Sequence, residues 1–229
     1  MWLNTALAKT KMKSSTNNES MTRVVAPIAA FLKTRAFRKK RFTFNRATSD
    51  GLVVVVNLQM GRYDVGNHAE IPGLRANLYG KFTVNLGVFV PELYREQMGE
   101  AQPDFVNEYD CSIRTRFSNL LQTKGDLWWT LGTQEDAIAA RIIGLLESHG
   151  LPFLERFSVR EDIIHELPEW CEANKCTSRA LLDIALILQH KGRSEEAVEY
   201  FQRHLSKAHH PSHVQYCEEL AIKHGWQTT

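Results

Sequence analysis

Cysteine is scarce in this chain and placed without pairing logic: Cys111, Cys171, Cys176 and Cys217 are scattered over 229 residues. Their spacing forms no disulfide framework, so a reducing, cytoplasmic setting is the simpler expectation. Long apolar runs are also missing. None is longer than the five residues Leu52 to Val56, far short of the ~20 residues that a membrane-crossing helix needs, and no membrane partner is expected.

Catalytic signatures are a third absence. No G-x-S-x-G, H-E-x-x-H, Walker loop or dinucleotide fingerprint occurs, so no catalytic residue is nominated and no cofactor is implied. The closely spaced acids Asp104, Glu108 and Asp110 lie in a loop leading into a strand, where solvation accounts for them. The expectation leans against an enzyme.

What the chain does have is ordinary globular material: 43% hydrophobic and 24% charged residues, enough to bury a core. Its charge is unevenly placed. Residues 1–50 hold 11 Lys and Arg against Glu19 and Asp50, whereas residues 51–229 carry a net charge of −7. The opening "MWLNTALAKTKMKSSTNNES" is polar, basic and without apolar periodicity, and Met12 and Met21 offer later starts. A disordered basic tail over 1–21 is expected.

Periodicity then organises the rest. Val24, Ile28, Phe31 and Leu32 recur at helical spacing. Pro27 is expected near the start of that helix, because its ring blocks an interior bond. In "RKKRFTFNR", Phe42 and Phe44 alternate with Thr43 and Asn45, and Asp50-Gly51 signals a hairpin turn. Val54, Val56, Leu58 and Met60 form one face of the next strand, with Asn57 and Gln59 opposite. "KFTVNLGVF" sets Phe82, Val84, Leu86 and Val88 against Lys81, Thr83, Asn85 and Gly87. In "EYDCSIRTRF", Cys111, Ile113, Thr115 and Phe117 alternate with Asp110, Ser112, Arg114 and Arg116, and the short "DLWWTL" follows.

From Thr133 onward the period becomes helical. Thr133/Asp136 and Ser158/Glu161 have capping-box spacing, and helices fit near 160–173, 178–190, 194–207 and 211–224. The fold class is therefore α+β: a mainly antiparallel, meandering sheet covered by an N-terminal helix (22–131), then an all-α array (133–229).

The order of pieces "AFRKKRFTFNR", "VVVVNLQM", "GKFTVNLGVFVPEL", "CSIRTRFSNLL" and "DLWWTL" resembles the bacterial family named domain of unknown function 4304, over about residues 24–131. Ala36 and Arg41 stand where that resemblance leads one to expect glycine. It implies a fold but no activity and no catalytic residues. A second likeness is fainter. "LLDIALILQHKGRSEEAVEYFQRHL", near 181–205, is similar to a single tetratricopeptide repeat, and one unit cannot build a solenoid.

Three constellations are candidates for function. Asn57, Gln59, Lys81, Asn85, Arg114 and Arg116 share the polar parity of the sheet, with only Asp110 as a nearby carboxylate. Such a face suits an anionic or peptide-like partner, the arginines making bidentate contacts; a merely solvated face is the alternative. The run 33–46 carries seven cations among Phe37, Phe42 and Phe44, a composition found in nucleic-acid grips, although these rings fall on the core face. Finally, "HLSKAHHPSHVQYC" brings His204, His209, His210, His213 and Cys217 together, with Cys171 and Cys176 able to join from a neighbouring helix; His209, His213 and Cys217 are weak candidates for a metal, against the alternative of a His-rich loop, and no common zinc module matches. The expected function is a non-catalytic binding or accessory module with a protein partner. The alternative is a nucleic-acid-associated protein, an enzyme or not, using 33–46 and Arg114/Arg116.

Overall fold

The computed structural model describes residues 2–61, 77–174 and 179–226, with side chains from residue 16 onward. Helix α1 (Trp2–Lys33) comes first. It leads into strands β1 (Arg38–Lys40), β2 (Thr43–Ala47), β3 (Val53–Met60) and β4 (Lys81–Phe89). Helix α2 (Pro91–Met98), β5 (Ile113–Arg116), the short α3 (Phe117–Leu120) and β6 (Trp129–Thr130) complete the first half. The helical half holds α4 (Glu135–Leu145), α5 (Leu151–Arg156), α6 (Arg160–Ala173), α7 (Arg179–His190), α8 (Ser194–Leu205) and α9 (Pro211–His224).

The sheet is antiparallel in the order β1-β2-β3-β4-β5, and β6 pairs with the start of β4. Strand parity follows the alternation of the sequence. Val54, Val56 and Leu58 on β3, with Phe82, Val84, Leu86 and Val88 on β4, are buried in one core. That core runs on without a break into Ile142, Leu146, Leu154, Ile164 and Leu167 of the helical half. Gly150 permits a close approach between the two halves: a Cβ there would meet Phe117 at 3.2 Å and Leu86 at 3.4 Å. The stretch Glu135–Arg156 is long and apolar enough, by length and composition, to cross a membrane. Its Ala139, Ile142, Leu146, Phe153 and Leu154 sit in this core, which accounts for that character.

Helix α1 runs from Trp2 through the stretch expected as a basic tail, where Ser20 and Met21 are buried. Met21, Val24, Val25, Ile28 and Leu32 form one continuous apolar stripe, so the helix is held by packing rather than propensity. Pro27 accordingly stands inside the helix, flanked by the buried Val24 and Ile28. Helix α2 carries Pro91 in its first turn, and Gly99 (φ 68°) closes it. Phe117 starts a helical turn instead of extending β5.

Neither expected capping box forms. The residues at the cap positions of α4 and α6 are Gln134 and Val159, and neither side chain caps. The start of α6 is capped from far away: Asp50 Oδ2 accepts the Arg160 N–H at 2.7 Å. Arg160 in turn donates from Nε and Nη2 to both oxygens of the buried Glu92, at 2.6 and 2.7 Å, and its Nη1 reaches Asp50. One guanidinium thus ties the β2–β3 turn, α2 and α6 together.

Candidate functional site

The polar parity of the sheet converges on one row. Register places Thr43 opposite Asn57, Asn57 opposite Asn85, and Asn85 opposite Arg116. Asn57 donates to Thr43 Oγ1 at 2.8 Å. Asn85 donates to Asn57 Oδ1 at 3.2 Å and to Gln59 Oε1 at 2.8 Å, while its oxygen accepts from Arg116 Nε at 2.9 Å. Arg116 also reaches Asp126, whose other oxygen accepts from Ser118 at 3.3 Å. The amides expected to read a partner therefore read one another. Lys81 stands half-buried at the start of the same strand.

This face is closed to solvent only in part: Asn57, Lys81 and Arg116 are half-buried, and Gln59 and Arg114 are exposed. Asn85 is 1% exposed and Thr83 2%. Val53, Val55 and Phe89 on the same side pack with Val106 and Cys111 in a small second core. Gly87 makes room for it, since a Cβ there would lie 2.7 Å from Cys111 Sγ. Burial pushes the Cys111 thiol well above its ordinary value. At the other end Thr83 donates to the Leu127 carbonyl at 2.9 Å.

Carboxylates meet both arginines, contrary to the expectation that only Asp110 lay near. Glu108 accepts from Arg114 Nε at 2.6 Å, and that bond raises the Arg114 pKa. Asp110 instead closes the capping box of its own turn with Asn107. No local period announces these pairings. The only signal in the sequence is opposite charge a few residues away on either side of the strand.

Arg114 nevertheless has its terminal nitrogens without a partner among the described residues, and it lines a cleft of about 180 Å3. The cleft separates β5 from Leu167, Trp170 and Cys171 of α6 and from Arg179 and Asp183 of α7. Asp183 is 5% exposed. Burial drives its carboxyl up to about 6 despite Arg179 Nε at 3.1 Å. Arg179 and Asp183 escaped the sequence reading, because α7 is so apolar that its two charges read as incidental. A larger cleft, about 460 Å3 between α2, α7 and α9, is lined by Glu96, Lys223 and His224, which pair with one another.

The basic run forms the opposite edge of the sheet. Arg38, Lys39 and Lys40 of β1 and Arg41 in the turn are exposed, whereas Phe37 and Phe44 are buried and Phe42 is half-buried. Arg35 and Arg46 are paired to Glu147 and Glu155. Of the histidines and cysteines, His213 and Cys217 lie together, with Nε2 and Sγ at 3.9 Å, and His209 is exposed in the preceding loop. Cys171 lines the β5 cleft instead, and Cys176 lies outside the described residues.

No curated protein and no solved structure matches the chain. The resemblance read from the order of strands extends differently from its expected range: the match leaves out β1 to β3 and continues through α4 and α5. Residues 73–156 match the family Domain of unknown function (DUF4304).

Proposed function

We propose that the protein is a non-catalytic binding module that takes an extended, acidic segment of a partner protein along the outer edge of β5. One observation carries the reading. β5 ends the strand order, so its outer edge has no strand partner among the described residues, and beside it lies the cleft with Arg114 and Arg179. An added strand gains main-chain hydrogen bonds along such an edge, and flanking side-chain pockets supply selectivity. Two guanidinium groups make acidic side chains the favoured occupants. The other end of the sheet lacks this character: β1 presents Arg38, Lys39 and Lys40, the kind of charged edge that discourages strand pairing. The thiols of Cys111 and Cys217, in no disulfide among the described residues, are in keeping with a reducing, cytoplasmic setting.

The test uses synthetic eight-residue peptides, acidic, neutral and basic, with amide shifts followed by NMR. Acidic peptides are expected to shift the amides of Ile113–Arg116 selectively. The double change Arg114→Ala with Arg179→Ala is expected to weaken binding at least about tenfold. Shifts confined to other surfaces, or equal binding of all three peptide classes, would sink the reading.

A second reading, nucleic-acid association, is favoured by the exposed cations at Lys33, Arg38, Lys39, Lys40 and Arg41, none ion-paired to a described carboxylate. Retention on single-stranded DNA that falls steeply with salt, and is lost on Lys39→Glu with Arg41→Glu, would support it. Salt-independent elution would remove it.

A further inference from the structure

One ring nitrogen each of His204 and His213 and Sγ of Cys217 all lie within 4.8 Å of one another, at the meeting of α8 and α9. His204 comes from the last turn of α8; His213 and Cys217 are four residues apart on α9, hence one turn apart on one face. The two imidazole nitrogens are 2.9 Å apart, and His213 Nε2 is 3.9 Å from the sulfur. His204 and Cys217 are buried, at 1% and 0% exposure, while His213 is half-buried. Reading the helix from Pro211 onward singled out His213 and Cys217 but offered His209 as the third group. The third group is His204 of α8, a member of the same His-rich stretch, in place of His209.

We propose that His204, His213 and Cys217 form a zinc-type metal site that clasps α9 to α8. The donor set is two borderline nitrogens and one sulfur, the chemistry that selects zinc and its neighbours over magnesium or calcium. With Zn–N near 2.0–2.1 Å and Zn–S near 2.3 Å, a tetrahedron has edges of roughly 3.35 Å between nitrogens and roughly 3.55 Å between nitrogen and sulfur. The nitrogen pair must open and the sulfur close by side-chain rotations of about 1 Å at most. Without metal, one imidazole donates its Nε2–H to the other nitrogen. To ligate, that proton moves to Nδ1 of the same ring, both Nε2 lone pairs face the ion, and the Cys217 thiol gives its proton to solvent. Net release is one proton per ion. The fourth position belongs to water, on the side where His213 leaves the core.

The experiment is a titration of the full chain, freed of metal with chelator, by Co2+ and Zn2+. One equivalent of Co2+ is expected to produce a sulfur-to-cobalt charge-transfer band and four-coordinate visible bands. One proton is expected to be released per ion, and Zn2+ to raise the melting temperature by roughly 5 °C. Cys217→Ser should abolish the near-ultraviolet band. His213→Gln, at the most exposed of the three positions, is the fold-sparing variant and should lower affinity at least about tenfold with unchanged circular dichroism. The double change His209→Ala with His210→Ala should leave binding intact. Absence of saturable binding below about 10 μM ion, retention of full affinity in His213→Gln, or loss of it in His209→Ala with His210→Ala would each overturn the proposal.

Discussion

Asn45 and Val106 are joined twice: the Asn45 amide donates to the Val106 carbonyl at 2.9 Å, and its oxygen accepts the Val106 N–H at 2.8 Å. Both groups are buried. A side chain in β2 thereby supplies backbone pairing to an irregular segment 61 residues away, and this keeps that segment on the second face of the sheet. Asn45→Ala leaves a buried donor and acceptor unmatched, so a loss of about 2–3 kcal/mol is expected in urea unfolding. Limited proteolysis should then cut between residues 99 and 107. An unchanged midpoint and digest would mean that Asn45 does not hold the segment.

Ala36 (φ 63°) and Arg41 (φ 54°) carry left-handed backbone. Ala36 completes the end of α1 with the Phe37 N–H on Leu32 and its own N–H on Lys33. The same pair of bonds closes α7 around Gly192 and α9 around Gly225, where glycine bears no Cβ penalty. Ala36→Gly and Arg41→Gly are each expected to stabilise the fold by about 0.5–1 kcal/mol, read as a rise in melting temperature. A fall at either position would show that its turn is not strained.

Trp129 is buried, stacked on Phe82 at 5.6 Å and edge-on to Phe117 at 6.4 Å, whereas Trp128 is half-buried. Trp129→Ala should cost about 3–5 kcal/mol and remove most of the fluorescence change on unfolding. Trp128→Ala should cost clearly less. Similar small losses at both would contradict the pairing of β6 with β4.

Asp183 binds its proton more tightly in the folded chain, where its value is about 6, than in the unfolded one, where it is near 3.8. Between those values the folded state holds the extra proton, so stability declines as pH rises from about 4 to 6, by about 1–3 kcal/mol. Asp183→Asn should flatten that slope in denaturant melts across the window. Retention of the full slope would assign it to other groups.

The strands were legible because burial on one face writes a period of two. Val54, Val56 and Leu58 could be read directly, and so could the helices from Arg160 onward, whose stripes repeat at 3.6. The second face was not, because Val106 covers it from a stretch with no period, and Cys111, which alternates with Ile113 in the sequence, packs on that face instead of the main core. Asn85 read as a surface amide for that reason. Asp50 read as a turn former, and it is one, but its capping of α6 depends on a residue 110 positions away. Long-range pairing leaves no local trace. The end of α1 shows the converse case: a glycine expected at Ala36 corresponds to a conformation that glycine prefers.

The Arg160 junction also bears on the order in which the chain can mature during synthesis. Glu92 is buried, and its guanidinium partner lies 68 residues downstream; the Asp50 turn waits for the same residue across 110. Until α6 and α7 have left the ribosome, Glu92 lacks both its guanidinium partner and the helix that α2 packs against, so it stays solvated. The strands emerge first, and the α2 end of the sheet settles last. Nascent chains halted before Arg160 should remain open at α2 and available to chaperones, and those extended past His190 should close.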